Sequence, residues 1–105
     1  MNLEEDYEFI TERYLNIVSQ YLVSENYQEG FKIIKATIEA YNDSGALNFG
    51  EELIDHLLKI GMYLRIIIRK STEILKNEIN EWKQNLEENN YYNNIYLEDI
   101  VLSTN

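Results

Sequence analysis

The near absence of helix-breaking residues is the feature that most constrains the fold of this chain. The 105 residues contain no proline and four glycines, so long stretches meet no residue that opposes a helix. Hydrophobic residues make up 45% of the sequence, which is enough to build a core. A chain of this length buries about two thirds of its unfolded surface as one unit. We therefore predict a single helical domain over residues 1–105.

Three Asn-x-x-Glu pairs, each followed by an apolar pattern, predict three helix starts. The pairs are Asn2 with Glu5, Asn26 with Glu29, and Asn48 with Glu51. In each pair the Asn side chain can accept a hydrogen bond from a first-turn N–H, and the Glu lies at the positive end of the helix dipole. Apolar residues at helical spacing follow each start. The pattern predicts helices over about 3–25, 27–42 and 49–60.

A fourth apolar seam begins after Gly61 and predicts a helix over about 62–88. Its members are Leu64, Ile67, Ile68, Ser71, Leu75, Ile79, Trp82 and Leu86. Two asparagines at 89–90 end this pattern, and the residues after them fit a short helix or a β-like edge segment equally. The predicted class is all-α, with four to five helices in a bundle or in stacked helical hairpins. Residues 1–90 form the helical core, and 91–105 form a short helix or an irregular tail.

Residues 14–42 resemble a tetratricopeptide repeat, which is a pair of antiparallel helices of about 34 residues. Tyr14, Ile17, Val18 and Tyr21 stand at the bulky, aliphatic, small and aromatic positions of that repeat's first helix. Ile34 stands at the aromatic position of its second helix. The resemblance implies a helical hairpin that binds a peptide or protein in a groove, without catalysis.

Acidic residues concentrate at both ends of the chain, and the net charge is −10. Residues 1–29 hold seven acidic residues and one basic residue, and residues 77–105 hold six and one. Such a charge repels nucleic acid and anionic lipid and attracts basic protein surfaces. The first helix places its acids beside tyrosines, which are common at protein interfaces. The candidate partner-binding residues are Glu4, Glu5, Asp6, Tyr7, Glu8 and Tyr14.

The middle of the chain is basic. Arg65, Arg69 and Lys76 are predicted to form a strip on one side of the fourth helix. Two interpretations are open: the strip pairs with the acidic first helix, which we favour, or it binds an external anion. Nucleic acid is not the expected partner, because the charge of the whole chain opposes it.

No grouping of residues predicts catalysis. His56 is the only histidine, and we predict a surface position beside the carboxylate of a helix neighbour such as Glu52. Glu5/Glu8 and Glu52/Asp55 resemble the paired carboxylates that bind Mg²⁺ in all-helical nucleotide pyrophosphohydrolases, which would imply a hydrolase. The 43 residues between the pairs exceed the usual gap in that family. We predict no catalytic residue, no metal site and no cofactor.

Cysteine is absent, which excludes disulfides and thiolate ligands within the chain. No apolar run approaches the roughly 18 residues that span a membrane, and an acidic start is unlike a secretory signal. The expected compartment is the cytoplasm. The predicted function is non-catalytic binding of a basic protein surface, as an inhibitor, immunity or antitoxin-type partner. The alternatives are a self-associating, homodimeric regulatory module and the Mg²⁺-dependent pyrophosphohydrolase.

Overall fold

The computed structural model describes residues 3–44 and 51–88, which form four α-helices. They are α1 (Leu3–Val23), α2 (Tyr27–Ser44), α3 (Glu51–Lys70) and α4 (Glu73–Glu88). No strand occurs in these two ranges, so the predicted all-α class is confirmed. The predictions for residues 89–105 and for caps at Asn2 and Asn48 fall outside the described residues.

A tight turn joins α1 to α2. The Asn26 N–H donates to the Tyr21 carbonyl at 2.8 Å, and the Glu25 N–H donates to the Leu22 carbonyl at 3.2 Å, which is the Schellman arrangement. Glu25 takes the left-handed position, with φ at 62°, where glycine is usual. The Glu29 N–H then donates to the Asn26 Oδ1 at 3.5 Å, which confirms the predicted start of the second helix.

The predicted helix break at Gly61 is wrong. The third helix continues through Gly61 to Lys70, and a separate helix begins at Glu73. One glycine inside a helix costs about 1 kcal/mol relative to alanine. Burial of Ile60 and Leu64 on either side outweighs that cost, since each stabilises by about 1.5–3 kcal/mol.

The true break lies at Ser71 and Thr72. Thr72 caps α4, because its Oγ1 accepts from the Leu75 N–H at 3.4 Å. Arg69 and Lys70 occupy the last turn of α3, where cations stabilise the negative end of the helix dipole. The chain therefore carries a basic helix end followed by a Thr cap.

The helices α1, α2 and α3 pack against one another, and α4 packs against α3. Trp82 also holds α4 to α2: its Nε1 donates to the Glu39 Oε1 at 3.2 Å, and its ring meets Phe31 edge-on, with centroids 5.5 Å apart. The buried core draws on all four helices and comprises Leu15, Val18, Phe31, Ile34, Ile38, Tyr41, Leu57, Ile60, Leu64, Ile67, Leu75, Ile79, Trp82 and Leu86.

The helices α1 and α3 run parallel. A Cβ on Gly30, near the start of α2, would lie 3.8 Å from the Tyr21 Cβ and 3.2 Å from the Ile67 Cδ1. Tyr21 stands near the end of α1 and Ile67 near the end of α3, so both helices end beside the start of α2. Because Gly30 has no side chain, the helices can approach this closely. The parallel pair leaves a groove between α1 and α3 on the surface.

Candidate functional site

The outer side of α1 carries exposed aromatic residues. Phe9 is 67% exposed and Tyr14 is 37% exposed. Together with Arg13 and Ile17 they line a shallow hollow of about 300 Å³. Aromatic side chains supply much of the apolar area in protein interfaces, and this pair stands beside a cation on one helix. The hollow is the first candidate site.

The predicted acidic residues stand directly before this hollow. Glu4, Glu5, Asp6, Tyr7 and Glu8 belong to the first two turns of α1, and their side chains lie outside the described part of the structure. In the sequence of α1, an acidic segment is therefore followed at once by an exposed aromatic residue.

Phe9 was missed by the sequence analysis, although its spacing carried a signal. The buried side of α1 carries Leu15 and Val18, and the helical repeat places Phe9 on the opposite side of the helix. A large apolar residue outside the stripe of an amphipathic helix faces solvent. Its 67% exposure agrees with that expectation.

A second candidate site is the groove between α1 and α3, which has a volume of about 480 Å³. Residues of both helices line it: Glu12, Leu15 and Asn16 of α1, and Lys59, Met62, Tyr63 and Ile66 of α3. Its apolar members come mostly from α3, and one acidic and one basic residue stand at its edges. Such a groove suits a helix or a peptide with an apolar side.

The surface position predicted for His56 is wrong. His56 is only 7% exposed, and its Nδ1 is buried with no hydrogen-bond partner in the described part of the chain. The reason is the length of α3: His56, Ile60, Leu64 and Ile67 follow one another at spacings of four, four and three. They therefore share the buried face of one continuous helix. Glu52, its proposed neighbour, has a side chain outside the described set.

The predicted basic strip is divided between two helices. Arg65 and Arg69 belong to α3 and are exposed, whereas Lys76 belongs to α4. The Lys76 Nζ lies 3.6 Å from the Glu73 Oε1, one turn away on its own helix, so it does not extend the α3 row. Pairing of Arg65 and Arg69 with the acids before Phe9 stays a prediction, because those acidic side chains are not described.

Lys83 is a buried cation that the sequence analysis did not single out. It is 3% exposed, and burial lowers the pKa of its ammonium group from the ordinary 10.5. Trp82, Leu86 and Ile79 share this buried side of α4. The lysine therefore belongs to the core side of the helix and not to a charged surface.

Among the side chains that the structure describes, no three acidic or histidine side chains gather in a way that could hold a metal ion. The side chains of Glu5, Glu8 and Glu52, which the hydrolase alternative requires, are not among those described. No helix in these ranges has the length and hydropathy of a membrane-spanning segment. No protein-family model, curated protein sequence or solved structure matches this chain significantly.

Proposed function

We propose that this chain is a non-catalytic binding protein that recognises a basic protein surface through the outer side of α1. The observation that carries the proposal is the 67% exposure of Phe9 directly after the acidic segment 4–8. Inhibitors, immunity proteins and antitoxins act in this manner, by covering a surface of their target. The proposal includes no enzymatic activity and no cofactor.

The acidic segment and the aromatic hollow contribute to different steps of binding. Carboxylates attract a basic surface over about a Debye length, near 10 Å at 0.1 M salt, and so raise the association rate. Phe9 and Tyr14 offer apolar area that a partner can bury, which slows dissociation. The same helix is thus proposed to raise the association rate and to lower the dissociation rate.

Self-association is a second candidate function, and the exposed apolar side of α3 favours it. The Mg²⁺-dependent pyrophosphohydrolase ranks third, because 43 residues separate its carboxylate pairs. A direct assay of nucleotide hydrolysis with Mg²⁺ tests it, and we expect no turnover.

Capture from native lysate with quantitative mass spectrometry tests the binding proposal. We expect a basic protein to bind the unmutated chain and to be lost with Phe9→Ala. Val23→Ala is the matched control, because Val23 is 84% exposed and stands at the opposite end of α1. Circular dichroism should first show that the unmutated chain and both variants have equal helix content. If all three then capture the same proteins, the proposal is contradicted.

A further inference from the structure

The helix α3 carries an exposed apolar stripe. Leu58, Met62 and Ile66 are 48%, 59% and 38% exposed, and each is four residues from the next. Residues at this spacing lie on one side of a helix, so the three side chains form a continuous row. A row of large apolar side chains is a candidate surface for association.

The stripe is symmetric about Met62. Leu58 and Ile66 are each four residues from Met62, and the exposed residues Asp55 and Arg69 are each seven residues from it. Seven residues are about two helical turns, so these charges lie on the same side of α3 as the stripe. Along this row, both directions from Met62 give an apolar residue and then a charge. The charge is acidic toward the start of α3 and basic toward its end. The exposed cations Lys59 and Arg65, each three residues from Met62, flank the row.

We propose that a second copy of this chain docks on the stripe, with the two α3 helices antiparallel and a two-fold axis at Met62. Leu58 then packs against the partner's Ile66, and Asp55 lies beside the partner's Arg69. The two-fold axis repeats both contacts, as an isologous interface requires. The paired segment from Asp55 to Arg69 is about 21 Å long, at 1.5 Å per residue.

Charge order selects a second copy in this direction. An antiparallel copy places Asp55 beside the partner's Arg69, whereas a parallel copy would place Asp55 beside Asp55 and Arg69 beside Arg69. Antiparallel helices also oppose their dipoles favourably. No ion pair among the described side chains uses Asp55 or Arg69. Exposed ion pairs contribute little affinity, so the apolar row holds the copies together and the charges set their direction.

The first test measures oligomeric state by sedimentation over a range of concentrations. The unmutated chain should dimerise, and Met62→Asp, which brings two like charges to the axis, should weaken the dimer at least tenfold. The control is Ile74→Asp, because Ile74 is 81% exposed but belongs to α4. A chain that stays monomeric throughout, or equal effects of the two substitutions, would overturn the proposal.

The second test uses the absence of cysteine to measure direction. Two single-cysteine chains, Leu58→Cys and Ile66→Cys, are mixed and oxidised under mild conditions. Antiparallel docking predicts disulfides mainly between unlike chains, because Leu58 faces the partner's Ile66. Disulfides mainly between like chains, or equal yields of like and unlike pairs, would overturn the proposed geometry.

A charge exchange completes the test. Asp55→Arg alone and Arg69→Asp alone should each weaken the dimer, since each leaves like charges facing across the interface. The double variant exchanges the charges at the two positions and should restore the dimer to near its original affinity. These two residues are fourteen positions apart in one chain, so restoration reports contact between copies. If the double variant loses as much dimer affinity as the two single variants lose together, the pairing is refuted.

Discussion

Replacing Thr11 by valine should stabilise the fold. Thr11 is 0% exposed on α1, and its Oγ1 is buried with no hydrogen-bond partner in the described part of the structure. Burying a hydroxyl without a partner costs roughly 1–3 kcal/mol. Valine has nearly the same shape and no polar atom, and its helix propensity is similar to that of threonine. We therefore expect Thr11→Val to raise the free energy of unfolding by about 1–3 kcal/mol.

Thr37→Val is the matched control, because Thr37 is also buried in a helix at 3% exposure but its hydroxyl has a partner. Its Oγ1 donates to the Ile33 carbonyl at 2.8 Å. Losing such a bond costs roughly 0.5–1.5 kcal/mol, partly offset by the added methyl group. This variant should be unchanged or weakly destabilised, so the two valine variants should differ by at least about 1 kcal/mol.

Urea unfolding measures both variants. Trp82, the only tryptophan, is 5% exposed and packs on Phe31, so its fluorescence reports loss of the core. Each 1 kcal/mol also corresponds to roughly 4–8 °C in the midpoint of thermal unfolding for a domain of about this size. If Thr11→Val destabilises as much as Thr37→Val, the Thr11 hydroxyl has a partner in solution, and the packing deduced between α1 and its neighbours is wrong there.

Three further predictions concern the turns and the buried lysine. Glu25→Gly should stabilise the chain by about 1 kcal/mol in thermal unfolding, because glycine takes the left-handed conformation at φ 62° without strain. Asn26→Ala should cost about 0.5–1 kcal/mol by removing the cap of α2, and Asn26→Asp should retain it. Burial lowers the folded-state pKa of Lys83, so the unfolded chain holds that proton more tightly and folding opposes the charged form. The stability of the unmutated chain relative to Lys83→Met should therefore rise as the pH rises toward 10.5, and a difference independent of pH would contradict the burial.

Periodicity was sufficient to predict the all-α class, because each helix buries an apolar face. It could not locate the break between α3 and α4. The apolar seam continues from Ile67 through Ser71 to Leu75, so apolar spacing alone does not indicate the turn at residues 71–72. The residues that indicate this turn are polar. They are the basic residues at 69–70 and the Thr72 cap. The Thr72 cap, and not Gly61, marks where the helix is interrupted.

The candidate site was harder to predict, because exposure depends on which helix faces which. His56 looked like a surface residue while α3 was thought to end at residue 60. It becomes a core residue once the helix continues to Lys70. Leu58 belongs to the apolar residues of α3 but is 48% exposed, because it lies on the side of the helix opposite His56, Ile60 and Leu64. Tyr14 is 37% exposed, and its spacing alone could not assign it to core or surface.

The rate of association with the captured basic partner, measured from low to high salt, tests the central claim most directly. One variant neutralises Glu4, Glu5, Asp6 and Glu8 with Gln or Asn. A control variant removes the same number of charges elsewhere, at the exposed residues Glu25, Glu78, Glu81 and Glu88. The account predicts that the first variant associates more slowly and loses most of its salt dependence, while the control keeps both rate and dependence. Equal rates for the two variants at every salt concentration would contradict the assignment of the acidic end of α1 as the binding surface.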